Sequence, residues 1–392
     1  MKKSTAKKSN IDDIIKKTNS FLCIDCGECT GSCPVSRVNI KYSPRLIVEK
    51  VLLGYFDEIK KDEDLWSCLV CGLCSNRCPS DVKYDDFIRM TRKEIRKHKE
   101  QLNYTHNRII QKSMEIMALG HPLNRLDWIT KDLKVASKGK YLYFTGCLPY
   151  FDVIFEHLNI KPTDSAKNAI KIMNKLGIKP VVSNKEVCCG RDLLYNGDEE
   201  NFLKLAKINK QMIKDSGTEK IVCTCPECLE CLKEIYTDYV GKLNVEFIHI
   251  TQLMNEGLKK GKLKLNPLDI KKVTFQDPCI LGRGFGIYDE PRNVIKSIPE
   301  IELLAMEREK DDSICCGPSA WVNCTNYTKR IQHVRLEQAE KTGAQFLITA
   351  CPKCMIHFSC ALNADDSQKC IKLKDISTLI SESMKGKNGK RK

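Results

Sequence analysis

Apolar positions in the first hundred residues recur at helical spacing. PRLIVEKVLLGYFDEI (44–59) and DDFIRMTRKEIRKHKEQL (85–102) each gather their apolar side chains on one face of a 3.6-residue period. No short β-branched run separates them, so residues 11–102 predict a mostly α-helical unit. Residues 103–137, from NYTHN through GHPLNRLDWIT, lack a clean period and predict a linker with a helical piece. From about residue 138 short β-branched or aromatic runs alternate with amphipathic helices, which predicts α/β layers.

The α/β part repeats. KYLYFTGC (140–147) answers to KVTFQDPC (272–279), and EVCCG to ICCGP. DSGTEKIVCTCPECL (215–229) answers to KTGAQFLITACPKCM (341–355), and VEFIHITQLMNEGLKKG (245–261) to CIKLKDISTLISESMKG (370–386). Each copy reads as strand ending in Cys, helix, strand, CCG loop, helix ending in Gly, strand ending in CPxC, helix, strand, helix. The fold class is therefore α+β multidomain: a helical domain (11–102), a linker (103–137) and two pseudo-symmetric α/β units (138–265 and 266–386).

Composition sharpens this picture chiefly through cysteine. The 392 residues are 42% hydrophobic, enough to bury cores, and contain 23 cysteines. The opening MKKSTAKKSNIDD has no apolar stretch after its basic residues, and no run of 18 apolar residues occurs, so the reading is a cytoplasmic chain without a transmembrane segment of its own. Reducing conditions disfavour a disulfide framework and leave metal or redox use. The formal charge of +15 is spread over lysine-rich helices and two basic ends, KKSTAKK and KGKNGKRK, which read as solvated tails. No basic motif interleaved with aromatics supports a nucleic-acid partner.

Eight cysteines fall in two runs of C-x2-C-x2-C-x3-C-P: Cys23, Cys26, Cys29, Cys33 before Pro34, and Cys68, Cys71, Cys74, Cys78 before Pro79. Three thiolates two residues apart wrap a loop around three irons, and a proline after the fourth stops the loop continuing as helix. Gly27 and Gly72 let the backbone approach. A zinc site takes four ligands, usually as two CxxC pairs, and would leave cysteines over. The runs are those of a bacterial two-cluster ferredoxin, in which the fourth cysteine of each run serves the other cluster. That implies one 4Fe-4S cubane on Cys23, Cys26, Cys29 and Cys78, and a second on Cys68, Cys71, Cys74 and Cys33.

Each α/β unit carries five cysteines at matching places: Cys147, Cys188, Cys189, Cys225, Cys228 in the first, and Cys279, Cys315, Cys316, Cys351, Cys354 in the second. Between them 40 and 35 residues intervene in the first unit and 35 and 34 in the second. All ten are expected at strand ends or in the loops just after, where an open α/β sheet presents ligands. Adjacent side chains on a strand point to opposite faces, so the doublets need the tight turns of Gly190 and Gly317 to aim both thiols at one metal group. Five thiolates exceed what one zinc or one cubane needs. Spacing says that five converge, not what they hold.

The double pattern C-x(30–40)-CCG-x(about 35)-CPxC resembles the CCG repeats of the heterodisulfide reductase family. A two-cluster ferredoxin preceding both repeats in one chain is similar to that family's D-type branch, as are TGCLPYFD (145–152), EVCCGRDLLYNGD (186–198) and QDPCILGRGFGIYDEPR (276–292). The resemblance covers about residues 20–385. It implies a noncubane 4Fe-4S cluster on the five cysteines of each unit, flanking a cavity where a disulfide is cleaved by electrons delivered from the two cubanes. Relatives that lose cysteines from one repeat keep zinc there, which makes zinc in one CCG site the minority alternative. The implied partners are an electron-donor subunit, either a flavoprotein or a membrane cytochrome of b type, and a small disulfide or other sulfur substrate. Any attachment to the inner face of the membrane would run through a partner. The rival reading is a non-catalytic electron-transfer subunit between a flavin dehydrogenase (glycolate, lactate or glycerol-3-phosphate type) and a membrane carrier.

Arg191 and Arg283, next to cluster cysteines, are candidates for contacting an anionic thiol substrate, with a structural ion pair as the competing reading. His357 and Asp277 are candidates for proton relay or ligand support, against an ordinary helix residue and a turn cap. Cys223, Cys231, Cys324, Cys360 and Cys370 lie outside the five-position pattern and read as small buried apolar residues. GRGFG (282–286) lacks the third glycine of a dinucleotide loop, and no other flavin or nicotinamide fingerprint occurs.

Overall fold

A computed structural model describes residues 5–61, 63–97, 102–121, 124–364 and 371–385, with side chains from residue 10 onward. Most of both basic ends, the last residues of the 85–102 stretch and Cys370 lie outside the described residues.

The N-terminal domain is helical, as its periodicity predicts. Its principal helices are Pro44–Leu52, opened by a Ser43 cap that accepts from the Leu46 amide with Pro44 in the first turn, and Tyr84–Arg96. They bury Val48, Val51, Phe87, Ile88 and Ile95 against Tyr42, Leu65 and Trp66. Arg92 is fully buried in this domain. Its guanidinium donates to the carbonyls of Leu65, Trp66 and Cys68 and, across the domain boundary, to Tyr195. A charge taken from water needs such a set of acceptors.

Seven parallel strands build two sheets. The first holds β1 (Tyr141–Phe144), β2 (Lys220–Cys223) and β3 (Glu246–His249) in that order. The second holds β4 (Lys272–Gln276), β5 (Glu302–Leu304), β6 (Phe346–Thr349) and β7 (Lys372–Asp375) in the order β5-β4-β6-β7. Registers match between units: Phe144 faces Cys223, which faces His249, and Gln276 faces Thr349, which faces Asp375. The strand expected before the first CCG loop shrinks to Val181, bridged to Leu142 and Ala136, because only Val181 and Val182 lie between Pro180 and the polar residues that follow. Helices cover both faces, which suits strands that are apolar throughout, such as YLYF and FLIT.

Residues 103–137 contain the expected helix, Ile109–Met117, whose Ile110, Met114 and Met117 enter the core of the first α/β unit with Trp128 and Leu133. The stretch before it pairs with the second unit: Thr105 N donates to Trp321 O (2.9 Å) and Asn323 N to Asn103 O (2.7 Å).

Candidate functional site

In the helical domain the thiols ring two small, mainly apolar cavities. The outer cavity is lined by Cys23, Cys26, Cys29, Cys74 and Cys78, and the inner one by Cys33, Cys68, Cys71 and Cys74, so thiols of both runs reach each cavity. Cys74 touches the walls of both. Gly27 and Gly72 cap the short helices Glu28–Ser32 and Leu73–Asn76 with φ of 83° and 71°. A Cβ at either place would meet nothing within 4 Å, so the left-handed backbone, not close approach, is what requires glycine. Backbone amides of Val70 and Val82 donate to the sulfurs of Cys68 (3.3 Å) and Cys78 (3.4 Å). Burial pushes the Cys33 thiol up to about 11 and that of Cys71 up to about 12. A bare thiolate is costly here, and a bound cationic group would offset that cost. Four sulfurs, one of which accepts a backbone amide in each cavity, fit an iron-sulfur cubane. Cys26 is exposed, whereas Cys33, Cys68 and Cys71 are buried, so the second cavity lies deeper.

The five cysteines of each α/β unit also come together. In the first, Cys147 Sγ lies 2.7 Å from Cys188 Sγ, and neighbouring thiols interact in the order Cys188, Cys189, Cys228, Cys225. In the second the chain runs Cys279, Cys315, Cys316, Cys354, Cys351. Neighbouring thiols hold Cys189 and Cys315 well below the usual thiol range and lower Cys354 to about 6. Cys228 and Cys354 stand on the first turns of the helices Pro226–Glu230 and Pro352–Ala364 rather than at strand ends, because Pro226 and Pro352 start those helices at once. Gly190 adopts φ 85°, and a Cβ there would lie 2.9 Å from Phe202; at Gly317 (φ 151°) it would lie 2.6 Å from Gln332 and 3.0 Å from His357. Both doublets therefore need glycine for conformation and for space. Five converging thiols without an oxygen ligand fit a multi-iron group better than a single ion.

The four thiol sets adjoin one another. Cys71 interacts electrostatically with Cys315 and Cys279, and the Leu69–Val70 loop closes one side of the second unit's thiol cavity. The two units meet where the Cys225 thiol interacts with that of Cys351. Around that contact lies a buried charge network. Lys353 pairs with Asp192 (2.5 Å) and with Glu227, and Arg191 pairs with Glu230 and, at 3.5 Å, with Glu227. Burial raises Asp192 to about 6 and Glu230 to about 7, against the pull of Lys353 and Arg191 respectively.

Of the four non-cysteine candidates, only His357 lines the thiol cavity, with Nδ1 3.4 Å from Cys316 Sγ. Arg191 is taken up by its ion pairs and stacks on Tyr195 at 4.0 Å. Arg283 donates to the carbonyls of Cys71 (2.7 Å), Asp311 and Ser313, fastening the ferredoxin loop to the second unit. Asp277 is held bidentately by Arg292 and caps the Lys310 amide. Sequence reasoning missed Glu227 and Lys353, although both occupy the variable place of CPxC. It also took the extra cysteines together: Cys223 and Cys231 are buried, but Cys324 is exposed, Cys360 is half-buried, and Cys231 joins the first thiol set. Cys324 escapes burial because it sits in the loop just before the helix Asn326–Lys341.

The family profile described as a cysteine-rich domain (CCG) matches residues 141–233 and 273–359, and that described as a 4Fe-4S dicluster domain matches 20–82. A dicluster ferredoxin domain ahead of two CCG domains makes this chain an iron-sulfur protein. It is 31% identical over 269 residues to the D-type subunit of the dihydromethanophenazine:CoB–CoM heterodisulfide reductase of Methanosarcina acetivorans, an alignment covering 67% of this chain and 63% of that one. It is 27% identical over 256 residues to the EtfAB:quinone oxidoreductase of Syntrophomonas wolfei, covering 62% of this chain and 34% of that one. A crystal structure of a hypothetical protein from Helicobacter pylori shares the fold (TM-score 0.56, 14% identity, 98% of this chain and 74% of that one). The chain belongs to the iron-sulfur proteins of the heterodisulfide reductase family, in its D-type branch. It spans less than two thirds of the length of the heterodisulfide reductase relatives it matches.

Proposed function

We propose that this chain is the part of an oxidoreductase complex that reduces a disulfide, or a similar sulfur-sulfur bond, at its two CCG sites. Iron-sulfur clusters, when bound, supply one-electron chemistry. Cys23, Cys26, Cys29 and Cys78 would hold one cubane and Cys33, Cys68, Cys71 and Cys74 the other. The five thiols of each CCG unit would hold a noncubane cluster. The single observation that carries this reading is the order of the thiol sets: outer cavity, inner cavity, second CCG site, first CCG site, each adjoining the next. The chain's own residues bury most thiols of the inner three sets. Lys353, beside the Cys225–Cys351 contact and balanced by Asp192 and Glu227, would hold a proton next to the place where a substrate sulfur becomes a thiolate. The electron donor would be a flavoprotein or a cytochrome of b type, on the cytoplasmic side of the membrane; among the described residues no helix is long and apolar enough to cross it.

A second reading, a conduit between a flavin dehydrogenase and a membrane carrier, draws support from the likeness to the Syntrophomonas wolfei EtfAB:quinone oxidoreductase. Anaerobic iron, zinc and sulfide analysis with electron paramagnetic resonance separates the two. The disulfide reading expects about sixteen irons per chain, four for each of four clusters. It also expects a paramagnetic signal that appears on oxidation with thiol and is lost in Cys188→Ser or Cys315→Ser. About eight irons with zinc, or clusters indifferent to thiol, would leave only the conduit.

A further inference from the structure

Residues 231 and 357 occupy the same place in the two CCG units, three positions beyond the second cysteine of CPxC (CPECLEC, 225–231; CPKCMIH, 351–357). On a helix that spacing puts each on the same face as Cys228 or Cys354. Both are residue types that ligate metals, and both touch the second cysteine of their doublet. Cys231 Sγ donates to the Cys189 carbonyl at 3.2 Å, which sets it beside the Cys189 thiol. His357 Nδ1 lies 3.4 Å from Cys316 Sγ. Their exposures are 0% and 5%, so neither serves the surface. Two further observations point inward. Cys231 begins a π-helical turn, Cys231–Ile235, an irregularity that recurs at functional sites and that the second unit's helix Pro352–Ala364 lacks. The other ring nitrogen of His357 is buried without a hydrogen-bond partner.

We propose that this is a sixth cluster-facing position, filled differently in the two sites: Cys231 adds a sixth sulfur donor to the first, and His357 donates an N–H···S hydrogen bond to Cys316 in the second. The inference rests on the reading that the five thiols of each unit hold iron. A further thiolate adds negative charge and favours the oxidised cluster, whereas an N–H donor withdraws density from sulfur and favours the reduced one. The second site, next to the ferredoxin domain, then has the higher potential and the first the lower, although their five cysteines match one for one.

The test uses the anaerobically isolated, cluster-loaded chain grown with 15N-labelled histidine. Pulsed electron-nuclear spectroscopy of the unmodified protein should find a histidine nitrogen coupled to one CCG signal and not the other. His357→Ala should remove that coupling and lower the potential of the same signal in a redox titration. Cys231→Ala should alter the line shape of the other signal and raise its potential. The exchange Cys231→His with His357→Cys should move the coupling to the first site. Absence of coupling in the unmodified chain overturns the proposal, as does either alanine variant leaving both signals unchanged at undiminished iron content, or altering both signals alike. Should the variants fail to fold, the labelled unmodified protein decides. Full iron and sulfide retention in both Cys188→Ser and Cys315→Ser is a different failure, that of the cluster reading beneath.

Discussion

The two CCG units carry the same five thiols on the same framework and differ at almost every polar position around them. CPxC has Glu227 in one and Lys353 in the other; the doublet is followed by Gly190-Arg191 in one and Gly317-Pro318 in the other. Three places beyond CPxC stand Cys231 and His357, and the helix after the last strand is capped by His249 in one unit and Asp375 in the other. Duplication thus preserved the sulfur geometry, and the intervening positions set charge and proton content separately at each site.

The sharpest way to break the comparison is at the charge bridge. Lys353→Met leaves Asp192 buried without its ion-pair partner and Glu227 with only Arg191, and stability should fall by about 3–5 kcal/mol in thermal unfolding. Glu227→Gln, which leaves Asp192 to balance Lys353, should cost about 1–3 kcal/mol. Equal losses from both would mean that the network is not centred on the lysine.

Next come the doublet glycines. Gly190→Ala and Gly317→Ala each place a Cβ in a left-handed backbone and against a packed side chain, at a cost of about 1–3 kcal/mol. Only Gly317→Ala should disturb the second CCG site through His357, and resonance spectra of the two variants check that selectivity.

Arg283→Ala should cost about 2 kcal/mol by stranding the Cys71 carbonyl. Amide exchange near residues 68–72 should rise with little change in the first unit.

The smallest net effect concerns the caps, whose contributions have opposite signs. Burial lowers His249 to about 4, so between pH 6.5 and 4 the unfolded chain takes up a proton that the folded chain refuses, and stability falls as pH drops through that window. Burial raises Asp375 to about 6, so the folded chain keeps its proton from pH 3.8 to 6, and stability falls as pH rises through that window. Each amounts to about 3 kcal/mol, so the two nearly cancel. His249→Asn, still a competent cap, should unmask the Asp375 slope in unfolding curves taken from pH 4 to 6.

Much of this was legible in the chain. The apolar period of 44–59 and 85–102 announced the helical domain, and the strand–CCG–CPxC order announced the paired α/β units, because local spacing encodes both. The Lys353–Asp192 bond joins residues 161 apart, and no local pattern announces it. The seating of Leu69–Val70 against the second CCG unit rather than the first is equally a matter of tertiary contact. Cys231 was legible in principle, since overlaying CPECLEC on CPKCMIH sets it against His357; counting cysteines alone hid the pair.

The loop from Cys68 to Cys71 is gripped from two sides. Arg92 holds the Cys68 carbonyl and reaches Tyr195 in the first CCG unit, and Arg283 holds the Cys71 carbonyl from the second. Mechanically this is a weld. Swinging the helical domain away would strip a carbonyl from each of two guanidiniums, the buried Arg92 and the half-buried Arg283, so this joint holds the spacing between the inner cavity and the CCG pair.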